Sequence, residues 1–243
     1  MFDIGLQMFS FYHMERESLA KCIRAAAKIG YTKIELAGFF DLNAESVKAL
    51  CDELGIRIHG THSGIDLLKP ENIGETIRQF KVMDCKNFTI PSYRFDEPER
   101  REYFVKVVNE AQPMLEAEGI RLQYHNHSTE FMFPEGTYSL YDELAERTKI
   151  GFQIDTYHAF AIGLDPIEVM KRYDGRITCT HIRDGLGYQL EAKALGDGKC
   201  PVIDCVNYSL EKGFDMIVEN ASWEPDAVSE AQRCYDYLKK HFA

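Results

Sequence analysis

Along 243 residues, eight short apolar runs alternate with longer amphipathic segments. This alternation predicts an α/β fold, a single (β/α)8 barrel over residues 1–243. Two further observations favour a closed barrel. The units average roughly 30 residues, the length of one βαβ step, and helix-stopping glycines recur before strands two, three, five, seven and eight. An open doubly wound sheet would carry G-x-G-x-x-G after its first strand, and none is present.

The elements follow in order. Residues 3–10 read as the first strand and 16–29 as a helix that stops at Gly30. Residues 32–37 form the second strand. The helix at 43–54 has Asn43 as its N-cap and Gly55 as its stop. Strand three spans 56–62, the next helix 71–84, and strand four 87–91. A long helix at 97–118 contains Pro113, where a kink is expected, and ends at Gly119. Strand five covers 120–127, its helix 137–147, and strand six 150–155. The helix at 165–173 opens with Pro166 at the favoured first position. Strand seven is 176–182, followed by a longer loop and the helix 202–212, closed by Gly213. Strand eight is 214–220, and the last helix runs over 226–242.

Composition narrows the function classes. Apolar residues make up 45% and charged residues 28%, enough for a large core with a soluble surface. The net charge of −11 repels nucleic acid at long range, which argues against a general nucleic-acid partner. No apolar run is long enough to cross a bilayer, and the first residues, MFDIGLQMFSF, lack the basic n-region of a signal peptide. Seven scattered cysteines with no C-x-x-C read as reduced thiols, and the expected location is cytoplasmic.

In such a barrel, chemistry sits at the C-terminal ends of the strands. The stretch YHNHSTEF, from Tyr124 to Phe131, ends strand five with two imidazoles and a nearby carboxylate, a pattern that fits a metal or proton-transfer site. Because strand side chains alternate, Gln123, His125 and His127 share one face. So do Gln153 and Asp155, Cys179 and His181, and Ile217 and Glu219. The opposite face carries Leu122, Tyr124, Phe152, Ile154, Met216 and Val218, a helix-facing apolar set, although Thr178 and Thr180 break the contrast on strand seven. Asp155, His181 and Glu219 are thereby expected to converge at the barrel mouth. Such a set suits Mn²⁺, Mg²⁺, Co²⁺ or Zn²⁺. A salt-bridge network with Arg183 or Arg121 would satisfy the same carboxylates without a metal. Strand two contributes Glu35, whose alternative is a core salt bridge. His59 and His62 have opposite parity on strand three and cannot both face inward without a bulge.

Seven motifs, in order and spacing, resemble one family over nearly the whole chain. They are GLQMFSF at Gly5, YTKIELAG at Tyr31, YHNHSTEF at Tyr124, IDTYHAFAIGLDPIEVMKRYDGRI at Ile154, THIRDG at Thr180, LGDG at Leu195 and IVEN at Ile217. The chain is similar to the xylose isomerase-like TIM barrel family (sugar phosphate isomerase/epimerase). The resemblance implies one divalent metal ion, held here by Asp155, His181 and Glu219. The fourth ligand is assigned to Glu130, with His127 or Gln123 as alternatives.

It further implies proton transfer beside a sugar carbonyl, with Glu130 and Glu219 exchanging the proton through a cis-enediolate. His62, His125, His127 and Arg183, and less strongly Glu35, would hold sugar hydroxyls. Arg183 stands where lysine is commoner, and as a fixed cation it is suited to binding rather than proton transfer. His158 reads as a packed or supporting histidine, and the GDG loop at Gly196–Gly198 as a lid. The expected partner is a small-molecule sugar, in a protein that is a homo-oligomer, dimer or tetramer. A lyase on the same scaffold, an inosose-type dehydratase or a keto-glycoside-cleaving enzyme, is the alternative activity. An endonuclease-like member is disfavoured by the acidic charge, and a sugar-binding protein without catalysis is the remaining alternative.

Overall fold

A computed structural model describes residues 3–132, 139–187 and 191–242. Eight parallel strands close into a barrel in the order β1-β10-β7-β6-β5-β4-β3-β2. They are β1 (Gly5–Gln7), β2 (Lys33–Leu36), β3 (Arg57–His62), β4 (Asn87–Ile90), β5 (Arg121–His125), β6 (Gly151–Asp155), β7 (Ile177–Ile182) and β10 (Asp215–Val218). Two short strands, β8 (Asp184–Gly185) and β9 (Ala192–Lys193), pair antiparallel beyond β7. The helices packed outside are α1 (Tyr12–Glu15), α2 (Leu19–Ile29), α3 (Ala44–Leu54), α4 (Ile73–Val82), α5 (Pro98–Ala117), α6 (Ser139–Arg147), α7 (Thr156–Ala161), α8 (Pro166–Arg172), α9 (Val202–Lys212) and α10 (Ala227–Phe242).

Local chemistry explains the boundaries. Asn43 caps α3 by accepting from the Ser46 N–H at 2.9 Å, and Gly55 ends it with φ +65°. Two expectations change. The first strand stops at Gln7, because the Gln7 side chain accepts from the Phe9 N–H at 3.1 Å and turns the chain into a 3-10 segment over Met8–Phe11. The helix α7, absent from the sequence reading, starts because Asp155 accepts from the His158 N–H at 2.9 Å. Residues 137–138 of the expected helix after strand five lie outside the described residues.

The apolar set of alternating parity packs outward against the helices: Leu122, Tyr124, Phe152, Ile154, Met216 and Val218 are all buried. The inward set is polar. Two register shifts adjust it. Ile34 pairs with Ile58 but Glu35 with Gly60, so His59 is the extra residue of a bulge in β3. This is what lets both His59 and His62 reach the interior. A second shift, at Phe152/Gln153, skips Thr178 in β7.

The N-terminal end of the barrel is closed by a buried cation. Lys33 is 2% exposed, and its Nζ reaches Asp215 at 2.6 Å and Asp3 at 3.3 Å. It therefore ties β2 to β10 beneath the intervening β1, where Gly5 leaves the space. A Cβ on Gly5 would lie 2.3 Å from Ile217 Cδ1 and 2.8 Å from Lys33 Cγ. Asp215→Ala leaves the Lys33 ammonium short of its nearest counter-charge. The expected loss is about 1–3 kcal/mol, below that of a fully buried pair because Asp215 is partly solvated. Chemical denaturation of Asp215→Ala, Lys33→Met and the double variant checks this: the double variant should be more stable than Asp215→Ala alone.

Candidate active site

Register brings the site together. Asp155 lies opposite His181, and His181 opposite Ile217, which places Glu219 just beyond β10 beside them. His125, Asp155, His181 and Glu219 are all buried, and their ligand atoms lie within 4.8 Å of one another. Asp155, His181 and Glu219 are thus brought to one point, with His125 as the fourth member.

The structure does not bring Glu130 to that group. It sits past the end of β5, in the 3-10 turn Thr129–Phe131. Its carboxylate accepts from the hydroxyl of the helix-facing Tyr124 at 2.6 Å, the His127 N–H at 2.9 Å and Thr129 Oγ1 at 3.0 Å. These bonds turn it toward the outer side of the strand. The other fourth-ligand alternatives are also elsewhere. Gln123 donates to Thr89 Oγ1 at 2.7 Å and accepts from Thr178, deep in the barrel. His127 remains partly exposed, with Nδ1 3.9 Å from Glu130 Oε1.

Glu35 is not at the mouth either. It is fully enclosed and bonded through both oxygens. Oε2 lies 2.6 Å from His181 Nε2, 2.8 Å from Gln7 Nε2 and 3.2 Å from His62 Nε2, while Oε1 accepts from Gln153 Nε2 at 2.7 Å. This carboxylate beneath the site therefore holds His181 in orientation, rather than meeting a ligand. Since Gln153 Nε2 faces the Glu35 carboxylate, its Oε1 must accept. It lies 2.8 Å from His62 Nε2 and 3.1 Å from His125 Nδ1, so both ring nitrogens carry hydrogen. The Nε2 of His125 is left as its lone-pair nitrogen.

Electrostatics follow this geometry. Burial opposes charge on Glu35, yet His62 and His181 hold it well below the usual carboxylate range. Burial likewise opposes charge on Glu219, and Arg183 with His181 overcomes it. His181 would be depressed by burial, but Glu35 and Glu219 raise it to about 10; its Nδ1 is 2.7 Å from Glu219 Oε2. Burial, reinforced by His181 and His62, pushes His125 well down, so its ring is neutral. His158 falls to about 4, mainly by burial, and accepts from Arg183 at 3.1 Å.

Sequence reasoning did not assign Gln7, Gln153 or Asn126. Gln153 shares the parity of Asp155, a usable signal; Gln7 and Asn126 had none. Asn126 accepts from the Asp155 N–H at 2.9 Å and donates to its carbonyl at 3.3 Å, bracing a donor of the site. The GDG loop is no free lid. Asp184 accepts from the N–H groups of Gly185, Gly196, Gly198 and Cys200 at 2.7–3.1 Å, and a Cβ on Gly198 would collide with it at 2.1 Å.

Two carboxylates and two imidazoles in a buried cluster suit a divalent ion of the Mn²⁺, Co²⁺ or Zn²⁺ type. Residues 23–240 match the model of the xylose isomerase-like TIM barrel family. The chain belongs to that family. Among solved structures, a sugar phosphate isomerase/epimerase from Parabacteroides distasonis ATCC 8503 superposes with a TM-score of 0.81 at 21% identity, covering 98% of both chains. The D-allulose 3-epimerase of a Methylomonas species gives 0.73 at 13% identity, over 99% of this chain and 98% of that one. These likenesses establish the barrel. In sequence, the inosose dehydratase of Geobacillus kaustophilus (strain HTA426) is 24% identical over 182 residues, 65% of this chain; the match spans 59% of that relative's length. No helix among the described residues is long and apolar enough to cross a membrane.

Two outcomes are expected for the metal-free protein. His59, His125 and His158 are all depressed, chiefly by burial. A depressed imidazole stabilises the fold fully above about pH 6.5 and less as pH falls below it, by about 1.4 kcal/mol per pH unit for each group. The raised His181 acts oppositely: its contribution is complete below about pH 6.5 and is lost as pH climbs toward 10. Urea denaturation in chelator should therefore show a maximum near neutral pH, and a flat profile from pH 5 to 9 would contradict the assignment. Glu35→Gln removes one acceptor and the charge beneath His181. The His181 ring should then titrate at least one unit lower by imidazole NMR, a shift that mere loss of packing would not produce.

Proposed function

We propose that this protein is a divalent-metal-dependent isomerase or epimerase of a sugar or keto-sugar, acting through a cis-enediolate, and that the whole chain works as one barrel domain. The observation carrying this reading is the buried group His125, Asp155, His181 and Glu219 at the strand ends of a xylose isomerase-like barrel. Asp155, His181 and Glu219 would hold the ion, with His125 in the place first assigned to Glu130. When bound, the ion supplies Lewis-acid stabilisation for negative charge developing on a carbonyl and its neighbouring hydroxyl.

The chain's own residues supply the rest. Glu219 Oε1 takes the proton from the carbon beside the carbonyl. Delivered to the former carbonyl carbon, with the hydroxyl proton passing to the other oxygen, it isomerises the sugar. A proton delivered instead to the opposite face of the first carbon by a second carrier epimerises it. Glu130 acts through His127, whose ring stands at the mouth with its Nδ1 facing Glu130 Oε1 at 3.9 Å. His127 thus serves as the second proton carrier. Arg183 binds a substrate oxygen. The burial of Asp155 and His181, both 0% exposed, keeps bulk water from the charged groups.

The inosose dehydratase relative supports a second reading, a lyase that shares the enolate step but expels a β-substituent. Both are tested by incubating the Mn²⁺-loaded protein with keto-sugars in D₂O. An isomerase or epimerase puts solvent deuterium into a sugar of unchanged skeleton; a lyase yields a product that has lost water or an aglycone. Neither change with any ketose would defeat both. Glu219→Gln should reduce turnover by about a hundred- to ten-thousandfold, the range for a general acid–base group. Metal content, measured separately, shows whether the loss is chemical or merely follows a lost ligand.

A further inference from the structure

Arg183 follows directly on β7, and its side chain is almost wholly enclosed, at 9% exposure. One nitrogen of the guanidinium, Nη1, gathers three acceptors: Asp155 Oδ2 at 3.1 Å, Glu219 Oε1 at 3.2 Å and His158 Nε2 at 3.1 Å. An Nη1 carries only two hydrogens, which go to Asp155 and His158, so Glu219 Oε1 meets the charge without receiving a hydrogen bond from it. Meanwhile the Nε–H is buried and finds no acceptor among the described residues.

Arginine ordinarily meets carboxylates with its planar fork, through two parallel bonds. Here it is used as a point charge between two carboxylates from different strands, at the expense of an orphaned inner donor. Both carboxylates belong to the same four-residue group that suits a divalent ion. An ion held by these carboxylates would supply the positive charge that the guanidinium now supplies.

We propose that Arg183 is an exchangeable counter-ion of this site. Its guanidinium neutralises Asp155 and Glu219 until a divalent ion takes them over, and the released fork, including Nε–H, then grips an oxygen of the substrate. This rests on the metal-site reading above and deepens it. Metal and substrate binding become positively coupled through one side chain. His158, which accepts from the same Nη1, loses that donor when the guanidinium moves.

The test measures binding, not turnover. Mn²⁺ is titrated calorimetrically into chelator-stripped wild type and Arg183→Met. Without the internal competitor, the variant is expected to bind at least about tenfold more tightly. Its metal-free melting temperature should fall, and Mn²⁺ should raise it by more than in wild type. Because the variant could fail to fold, a second measurement uses the wild-type chain labelled with ¹⁵N-arginine, following the Arg183 Nε–H resonance while Mg²⁺ or Zn²⁺ is added. Displacement predicts a new resonance position that saturates with the metal. Equal or weaker Mn²⁺ binding by Arg183→Met overturns the proposal, as does an unmoved Arg183 resonance at a saturated site. Absence of any metal binding by both proteins overturns the metal-site reading itself, and this proposal with it.

Discussion

A single carboxylate, that of Glu35, sets the geometry on which the site depends. It is enclosed at the centre of the barrel and receives hydrogen bonds from β1, β3, β6 and β7 while standing on β2 itself. A bare buried carboxylate would cost several kcal/mol. Here every bond that offsets this cost also fixes a side chain of the layer above. His181 is oriented directly, His125 through Gln153, and His62 through both. The bulge at His59 is part of the same construction: it brings Gly60 opposite Glu35, and a Cβ at Gly60 would stand 3.3 Å from Glu35 Oε1.

The barrel thus has polar layers with separate tasks. At the N-terminal end, Lys33 with Asp3 and Asp215 links the second and last strands of the barrel. In the middle, Glu35 and the glutamines hold the tautomers. At the C-terminal end, His125, Asp155, His181 and Glu219 present their donors. Apolar packing is displaced to the outer face of the strands, where Tyr124, Tyr141, Phe104 and Phe152 form part of the aromatic cluster under the helices. Stability and chemistry are therefore carried on opposite faces of the same strands.

This division explains what could be read from the chain. Strand alternation has a strict period of two, so the inward positions of β5, β6, β7 and β10 were legible from parity alone. The conflict between His59 and His62 even pointed to the bulge. Glu130 was not legible, because alternation ends with the strand; direction there depends on Tyr124, a helix-facing residue that looks merely apolar. The partners of Glu35 were hidden for another reason. Gln7 and Gln153 are neutral side chains in short strands, and only barrel closure makes them neighbours. Helix α7 escaped notice because its N-cap is Asp155, whose role in the site masked its role as a helix start.

The anchoring of the chain around Arg183 has a kinetic corollary. On one side the residue is continuous with β7, which pairs with β6 and β10. On the other, Asp184 is tethered by four main-chain amides, one of them from Gly196, where an added Cβ would lie 2.3 Å from Tyr237 Cε2. With the main chain clamped on both flanks, the guanidinium can travel only by torsion about its own side-chain bonds. Rearrangement at this mouth is thereby a rotamer hop rather than a segmental swing, and its speed is uncoupled from the slower breathing of the surface loops.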